Sequence, residues 1–165
     1  MGPIPVKGAL AAYLCSLSGA QAADYINLDI QTTRLLLKIT GSFLAVLGHV
    51  YPVFAGFKGG KGVATGAGAV ILIAPGAALF SVLGFLLVLG FTGIVSASSM
   101  AAAVILPIAV ALGAVGRPVS ELLLGFSILL ALFVLYTHRA NIKRIAMGEE
   151  KAFEKLRFLR RRNKA

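Results

Sequence analysis

The feature that most restricts the fold of this chain is a run of 29 residues, 63–91, without a charged side chain. As one straight helix it would extend about 43 Å at 1.5 Å per residue, more than the roughly 30 Å hydrocarbon core of a bilayer. Two complete crossings would need about 40 residues. The sequence Ala74-Pro75-Gly76 predicts a break near the middle, because proline lacks an N–H and glycine permits a turn. The run therefore predicts a hairpin of two short helices, with one kinked span as the alternative.

The rest of the chain is similarly apolar. Hydrophobic residues make up 58% of it, charged residues 13%, and the mean hydropathy is +0.90, all far from the averages of soluble proteins. We expect an all-α integral membrane protein, a polytopic helical bundle in which residues 1–165 form one membrane domain. About six helical segments are predicted: 8–23, 35–54, the two halves of 63–91, 94–115 and 119–137. Residues 24–34 are predicted to be a polar connector, and Pro3 and Pro5 are expected to prevent an earlier helix start.

Positive charge is concentrated near the C-terminal end. The chain has a formal net charge of +10, and ten of its sixteen Lys and Arg residues follow Thr137. This pattern favours anionic lipid head groups at a cytoplasmic membrane face, and we expect no nucleic acid partner. We expect a basic cytoplasmic tail over about residues 139–165. Four of its arginines are predicted to anchor it on the lipid surface: Arg157, Arg160, Arg161 and Arg162.

The charges also bear on the choice between a hairpin and a single span at residues 63–91. With the tail inside, the hairpin places 13 cations inside and 3 outside, and a single span places 12 inside and 4 outside. The positive-inside rule therefore favours the hairpin by a narrow margin. The hairpin also brings the preceding loop and the start of the tail to one membrane face, and we adopt it for that reason.

That preceding loop concentrates glycine and positive charge. It reads GHVYPVFAGFKGGKG over residues 48–62. Glycines can turn backbone N–H groups toward one point and lysines add charge nearby, an arrangement that suits a phosphate. The residues concerned are Gly56, Gly59, Gly60, Gly62, Lys58 and Lys61. The spacing is not that of a P-loop, so no nucleotide is predicted. The alternative is a flexible surface turn whose lysines extend toward the lipid head groups.

A second polar cluster follows the last predicted span, in the sequence THRANIKRIAMGEEK. On a helix, His138 and Asn141 lie three residues apart, and Arg139 and Lys143 lie four apart, which gives two neighbouring polar stripes. A histidine standing alone here would be an interfacial side chain, but this one has polar neighbours. Gly148 is expected to end the helix, and the two glutamates that follow could pair with local cations instead of contacting substrate.

Both segments resemble signature regions of a known family. GHVYPVFAGFKGGKG followed by ATG, and HRANIKRIAMGEE, are similar to the second and third signatures of the bacterial acyl-phosphate glycerol-3-phosphate acyltransferases. The resemblance runs from about Lys7 to about Lys151 and includes VKGAL and VSASS. It implies a seven-span enzyme of the bacterial inner membrane, with the glycine loop and the C-terminus in the cytoplasm.

The same resemblance implies an activity. Such an enzyme moves a fatty acyl group from acyl phosphate to glycerol 3-phosphate and makes lysophosphatidate, the first step of phospholipid synthesis. It requires no metal, no other cofactor, no acyl carrier protein and no coenzyme A. Its partners are therefore the two substrates and the lipid bilayer.

The resemblance further implies roles for individual residues. Attack of a glycerol hydroxyl on an acyl phosphate requires neutralised phosphate charge, support for an oxyanion and removal of a proton. Lys61 and the Gly59 and Gly60 amides would bind phosphate oxygens. Asn141 would orient the acceptor or the carbonyl, and His138 would donate a hydrogen bond or take the proton. The expected catalytic residues are Lys61, His138 and Asn141. The expected substrate-binding residues are His49, Lys58, Gly59, Gly60, Gly62, Arg139 and Glu150.

One part of the family pattern has no counterpart before Met1, namely the first span and the first signature, a Ser-Gly-Asn loop. That loop belongs to the family's active site, so we expect slow turnover from the 165-residue chain, as either a truncated chain or a shortened homologue. The alternative function is a non-enzymatic membrane protein that binds lipid phosphates. A transporter or channel has little support, because no ionisable residue lies in the middle of a predicted span.

Overall fold

A computed structural model describes residues 4–17, 22–23, 29–53, 56–57, 59–114, 120–157 and 159. Seven α-helices lie in these ranges: α1 (Ile4–Leu17), α2 (Ile30–Val50), α3 (Val63–Ile73), α4 (Pro75–Thr92), α5 (Val95–Ala111), α6 (Glu121–Thr137) and α7 (Arg139–Ala146). A short 3-10 turn, Glu154–Leu156, follows α7. The same ranges contain no β-strand, so the predicted all-α fold is confirmed.

The first two helices begin earlier than predicted. α1 starts at Ile4, because a proline at position 5 falls in the first turn, where its missing N–H would have had no helical partner. α2 starts at Ile30. The prediction of a polar connector over residues 24–34 is therefore wrong for its last five residues, which are helical. The cause is Asp29, whose carboxylate accepts hydrogen bonds from the backbone N–H groups of Gln31 and Thr32 at 2.9 and 3.0 Å.

The predicted hairpin at residues 63–91 is confirmed by where the ends of α3 and α4 lie. α4 begins with Pro75, directly after the break at Ala74. At the other ends, Thr137 Oγ1 donates to the Lys61 carbonyl before α3 (3.1 Å), and the Phe153 N–H donates to the carbonyl that follows α4 (2.8 Å). A straight span would separate these ends by about 43 Å, whereas α7, which lies between Thr137 and Phe153, is only about 12 Å long.

Small residues bring the helices together. A Cβ added to Gly8 in α1 would lie 2.0 Å from the Thr65 carbonyl oxygen in α3, and one added to Gly41 in α2 would lie 2.4 Å from Cys15 Sγ in α1. Glycines at such crossings allow the close backbone approach that is typical of helices packed in membranes. The three helices therefore form one packed unit beneath the glycine loop.

The helix lengths and exposed surfaces suit a bilayer. α2 and α4 are each long and apolar enough to cross a membrane, and α6 reaches the same length only when counted together with α7, from which it is bent by 59°. α5 and α6 contain 17 residues each and are shorter than predicted. Large apolar side chains are exposed along α4: Leu79, Phe80, Leu83, Leu86, Leu87 and Phe91. Such a surface is stable against lipid, so the chain is a helical membrane protein.

Candidate active site

The glycine loop lies against the C-terminal end of α2. The Gly59 N–H donates to the Val50 carbonyl at 3.1 Å, and the Gly60 N–H donates to the His49 carbonyl at 3.2 Å. A Cβ at Gly59 would lie 2.1 Å from the His49 carbonyl oxygen, and one at Gly60 would lie 2.3 Å from His49 Nε2. Glycine is therefore required here for close packing. The prediction that these two amides bind phosphate is wrong for this structure, because both N–H groups are already bonded to α2.

The first turn of α3 offers donors in their place. Gly62 precedes the helix with φ +78° and provides no side-chain cap. The first N–H groups of a helix have no partner within the helix, and the helix dipole makes this end positive. Thr65, in the same turn, is 1% exposed, and its hydroxyl has no hydrogen-bond partner among the residues the structure covers. Sequence analysis missed Thr65, although the ATG that follows the loop was part of the family resemblance.

Lys61 lies between this helix end and the start of α7. Its side chain is exposed, and its carbonyl accepts a hydrogen bond from Thr137 Oγ1. That bond holds the loop against the residue that precedes His138. Lys61 and His138, two of the predicted catalytic residues, are therefore brought together although they are far apart in sequence.

His138 follows the last residue of α6 and is only 2% exposed. Its Nδ1 lies 2.8 Å from the Val134 carbonyl oxygen, which can only accept, so Nδ1 carries a proton and Nε2 is the free nitrogen of the neutral ring. Burial lowers the pKa of His138 from 6.5, the Val134 carbonyl opposes this, and the Lys61 charge lowers it further. His138 is therefore neutral at pH 7 and can accept a proton at Nε2.

Asn141 and Glu150 form a hydrogen-bonded cluster next to His138. Asn141 Nδ2 and Ser96 Oγ each donate to Glu150 Oε1 at 2.6 Å, and Arg144 Nε donates to Oε2 at 2.6 Å. These donors, Ser96 first, lower the pKa of the Glu150 carboxyl to about 2. Glu150 thus binds protein groups in this structure and holds the first turn of α5 against α7. Ser96 was not among the predicted site residues, although VSASS was part of the resemblance.

The other predicted site residues lie around this centre. Arg139 Nη1 donates to the Tyr136 carbonyl at 3.2 Å, and its guanidinium lies 4.6 Å from the centre of the Tyr136 ring. His49 packs against Gly60 as described above. Lys58 lies outside the described residues, so its predicted role stays a prediction. Among the residues that the structure describes, no group of three or more His, Cys, Asp and Glu side chains could hold a metal ion.

The helix ends at this side of the bundle favour a negatively charged ligand. α3, α5 and α7 all begin here, and none of them has a side-chain cap. α2, α4 and α6 end here, and their final carbonyls accept hydrogen bonds from following residues, for example the Leu47 carbonyl from the Tyr51 N–H and the Thr92 carbonyl from Arg157. The helix N-termini on this side therefore have N–H groups without a side-chain cap, while the carbonyls of the neighbouring C-termini are hydrogen-bonded. This combination gives a positive electrostatic potential.

Arg157 also corrects one prediction about the tail. It was expected to lie on the lipid surface, but its Nε donates to the Thr92 carbonyl at 2.7 Å. The tail therefore turns back onto the bundle at this point. Arg160, Arg161 and Arg162, the other predicted anchors, lie outside the described residues.

An apolar cavity of about 240 Å³ opens beside the polar cluster. It lies between α3, α4, α5 and α6, and among the residues that line it are Val63, Gly66, Val70, Phe85, Ser99, Leu106, Leu130 and Val134. Val63 follows Gly62 directly, and Val134 is the residue whose carbonyl binds His138. The cavity therefore runs from the polar cluster into the apolar part of the bundle.

Comparison with known proteins identifies the family. The sequence profile of the family described as glycerol-3-phosphate acyltransferase matches residues 5–148. A glycerol-3-phosphate acyltransferase of Syntrophomonas wolfei is 41% identical over 145 residues, a match that covers 88% of this chain and 65% of that protein. This chain thus spans less than two thirds of the length of that relative.

Two crystal structures of PlsY (YgiH), an integral membrane glycerol 3-phosphate acyltransferase, have the same fold. The lysophosphatidic acid form matches with a TM-score of 0.66 and 28% identity, covering 94% of this chain and 98% of that one. The glycerol 3-phosphate form matches with a TM-score of 0.66 and 25% identity, covering 95% and 99%. The profile, the sequence relative and both structures agree, and the chain belongs to the glycerol-3-phosphate acyltransferase family.

Proposed function

We propose that this chain transfers a fatty acyl group from acyl phosphate to glycerol 3-phosphate and releases lysophosphatidate and inorganic phosphate. The observation that carries the proposal is that a chain of this family brings Lys61, His138 and Asn141 together at the mouth of an apolar cavity. The related PlsY structures are of a glycerol 3-phosphate form and a lysophosphatidic acid form, which correspond to the acceptor and the product of this reaction.

Lys61 and the first turn of α3 are the proposed phosphate-binding groups. The Lys61 ammonium supplies a full positive charge, and the free N–H groups after Gly62 supply directional donors at the positive end of the helix. The unpartnered hydroxyl of Thr65 lies in that same turn and adds a further donor. Gly62 contributes its left-handed backbone, which directs the chain into α3.

His138 is the proposed proton acceptor. Its Nε2 takes the proton from the glycerol hydroxyl as the hydroxyl oxygen attacks the acyl carbonyl carbon. The bond between that carbon and the phosphate oxygen then breaks, and phosphate leaves with the electron pair. The proton moves from His138 to the phosphate or to water, which restores the neutral ring. The Val134 carbonyl holds Nδ1 and so keeps Nε2 free for this step.

Asn141 is proposed to orient the acceptor. Because its Nδ2 faces the Glu150 carboxylate, its Oδ1 is available to accept a hydrogen bond from a substrate hydroxyl. Glu150 then acts by positioning Asn141 and not by binding substrate. Arg139 would act at the edge of the phosphate site through its charge, and His49 would support Gly60. The phosphate-binding role predicted for Lys58 stays a prediction from the sequence.

The apolar cavity is proposed to hold the acyl chain. Its lining is almost wholly apolar, so it favours a hydrocarbon chain. The choice of acyl phosphate as the donor, without acyl carrier protein or coenzyme A, follows from the family resemblance. The basic residues that follow Thr137 support a cytoplasmic location for the polar cluster in a bacterial inner membrane. Water-soluble glycerol 3-phosphate would enter from that side, and the product would leave into the bilayer.

The test is an assay of phosphate release and lysophosphatidate formation from acyl phosphate and glycerol 3-phosphate. It is run in lipid nanodiscs on the 165-residue chain and on the same chain fused behind the first span and Ser-Gly-Asn loop of a relative. Lys61→Ala should weaken glycerol 3-phosphate binding about 10- to 150-fold, the value of one charge-assisted hydrogen bond. Lys155→Ala, which removes an exposed lysine far along the tail, is the matched control. Absence of transfer in both forms would overturn the proposal.

A further inference from the structure

The chain that follows α7 crosses back over the bundle, in a segment that we call the strap, residues 150–157. α7 ends before Gly148, whose φ of +73° reverses the chain. The strap then runs past the start of α5 to the end of α4. Residues 152–157 lie beyond both the family profile, 5–148, and the resemblance, which ends near Lys151, so neither assigns a role to this part of the strap.

The strap completes the hydrogen bonding of the last turn of α4. The Phe153 N–H donates to the Gly93 carbonyl at 2.8 Å, and Arg157 Nε donates to the Thr92 carbonyl at 2.7 Å. The Leu159 N–H, just after the strap, donates to the Gly90 carbonyl at 3.1 Å. The last carbonyls of a helix have no partner within it, and leaving them unbonded where water is scarce is costly. The strap therefore makes two hydrogen bonds to the end of α4, and the residue at position 159 adds a third just beyond it.

Gly93 makes this contact possible. Its φ is +71°, and a Cβ at this position would lie 2.7 Å from the Phe153 carbonyl oxygen and 2.9 Å from Arg157 Cγ. Any side chain at position 93 would push the strap away from α4. By contrast, Gly113 has φ +77° at the end of α5, and a Cβ there would meet none of the described residues within 4 Å.

The strap begins at Glu150, whose carboxylate accepts hydrogen bonds from Asn141 and Ser96. The strap thus connects the end of α4 to the side-chain amide of Asn141. We propose that the strap is a positioning element for acyl transfer and that Arg157 and Gly93 are positioning residues, which hold Glu150 where it orients Asn141. This inference rests on the proposed function.

The first experiment compares Arg157→Ala with Lys155→Ala, which removes the same charge from the same segment at an exposed position without a side-chain bond in the described structure. Arg157→Ala should lower kcat about 3- to 10-fold, the value of one hydrogen bond, while Lys155→Ala should leave it unchanged. Arg157→Lys should restore part of the loss. Equal losses in both alanine variants would show that tail charge alone matters, which would overturn the proposal.

The second experiment tests whether Arg157 acts through Asn141. In an Asn141→Ala background, with protein in excess over acyl phosphate so that slow transfer is measurable, Arg157→Ala should cause no additional loss. A merely structural role would lower the rate by the same factor in both backgrounds. That result would overturn the proposal.

The third experiment does not measure acyl transfer. It can therefore contradict the strap proposal independently of the proposed function. Hydrogen exchange of residues 141–150 should accelerate in Arg157→Ala and in Gly93→Ala, and remain unchanged in Lys155→Ala and in Gly113→Ala. The Gly113 variant carries the same backbone strain as the Gly93 variant without a contact to the strap. Unchanged exchange in Arg157→Ala and Gly93→Ala would overturn the strap proposal even if the chain transfers acyl groups.

Discussion

The side-chain amide of Asn141 donates a hydrogen bond to the carboxylate of Glu150, with 2.6 Å between Nδ2 and Oε1. An ionised carboxylate can only accept, so the amide must turn its nitrogen toward Glu150 and keep Oδ1 for another partner. This one contact decides which end of Asn141 can meet a substrate.

Replacement of Glu150 should therefore disturb Asn141. Glu150→Gln retains the size of the side chain but removes the charge. The new glutamine amide can donate as well as accept, so the Asn141 amide is no longer held in one orientation. We expect the transfer rate to fall about tenfold or more, the value of a hydrogen bond to a charged group. Kinetics of acyl transfer measure this, and Glu149→Gln is the control, because Glu149 is exposed. A Glu150→Gln variant with the rate of the parent chain would contradict this role.

The low pKa of Glu150 predicts how stability depends on pH. Its pKa of about 2 in the folded chain lies below the ordinary value of 4.5, so the folded state favours the ionised form. The resulting stabilisation is complete above pH 4.5 and is lost as pH falls toward 2. Thermal unfolding in detergent between pH 6 and pH 3 should show a declining Tm below pH 4.5. The decline should be smaller in Glu150→Gln, and equal declines in both chains would argue against the carboxylate cluster.

Proton uptake by His138 should appear in the pH dependence of transfer. Burial and the Lys61 charge hold the pKa of His138 below 6.5 in the folded chain, and only the neutral ring can act as a base. The rate should therefore be constant above pH 6.5 and fall as pH drops through the lowered pKa. Removing the charge in Lys61→Ala should raise the pKa of His138, which NMR titration of the two histidines can measure. A pKa that falls in this variant would disprove the proximity of the two residues.

The glycine loop should tolerate a methyl group at position 60 better than at position 59. In Gly59→Ala the added Cβ meets two backbone carbonyls, those of His49 and Val50, which cannot move without unwinding α2. In Gly60→Ala it meets the His49 ring, which can rotate away. We expect lower activity in both variants, with partial recovery when His49→Ala is combined with Gly60→Ala only. Gly48→Ala is the control, because a Cβ at that position would meet none of the described residues within 4 Å. Recovery of Gly59→Ala by the same second change would contradict the packing described here.

Filling the apolar cavity should affect one substrate selectively. Ala103→Phe places a large side chain in the cavity, so KM for a long-chain acyl phosphate should rise while KM for glycerol 3-phosphate stays the same. Ile108→Phe enlarges an exposed residue on the same helix and serves as the control. Steady-state kinetics with both substrates varied make the measurement. A parallel rise of both KM values would indicate general distortion of the fold.

Local sequence signals predicted much of the fold. Ala74-Pro75-Gly76 inside an uncharged run indicated a break, and the hairpin was preferred to one kinked span because it brings the glycine loop and the start of the tail to one membrane face. Proline alone does not end a helix, since α5 continues through Pro107. Gly148 was sufficient to place the end of α7. The starts of α1 and α2 were misplaced because a proline in a first turn was treated as a barrier and the capping role of Asp29 was overlooked.

By itself, the sequence determined the membrane environment and the residue types available for chemistry, since these depend on composition and length. It predicted about six helical segments, whereas the described ranges contain seven α-helices, because α7 was assigned to the tail. Only the tertiary structure decided what each polar group is bonded to. In the folded chain the Gly59 and Gly60 N–H groups donate to carbonyls of α2. Ser96 donates to Glu150, and Arg157 donates to the Thr92 carbonyl. The physical reason is that a hydrogen bond requires a partner at about 3 Å, and groups on different segments of the chain come that close only when the segments have packed.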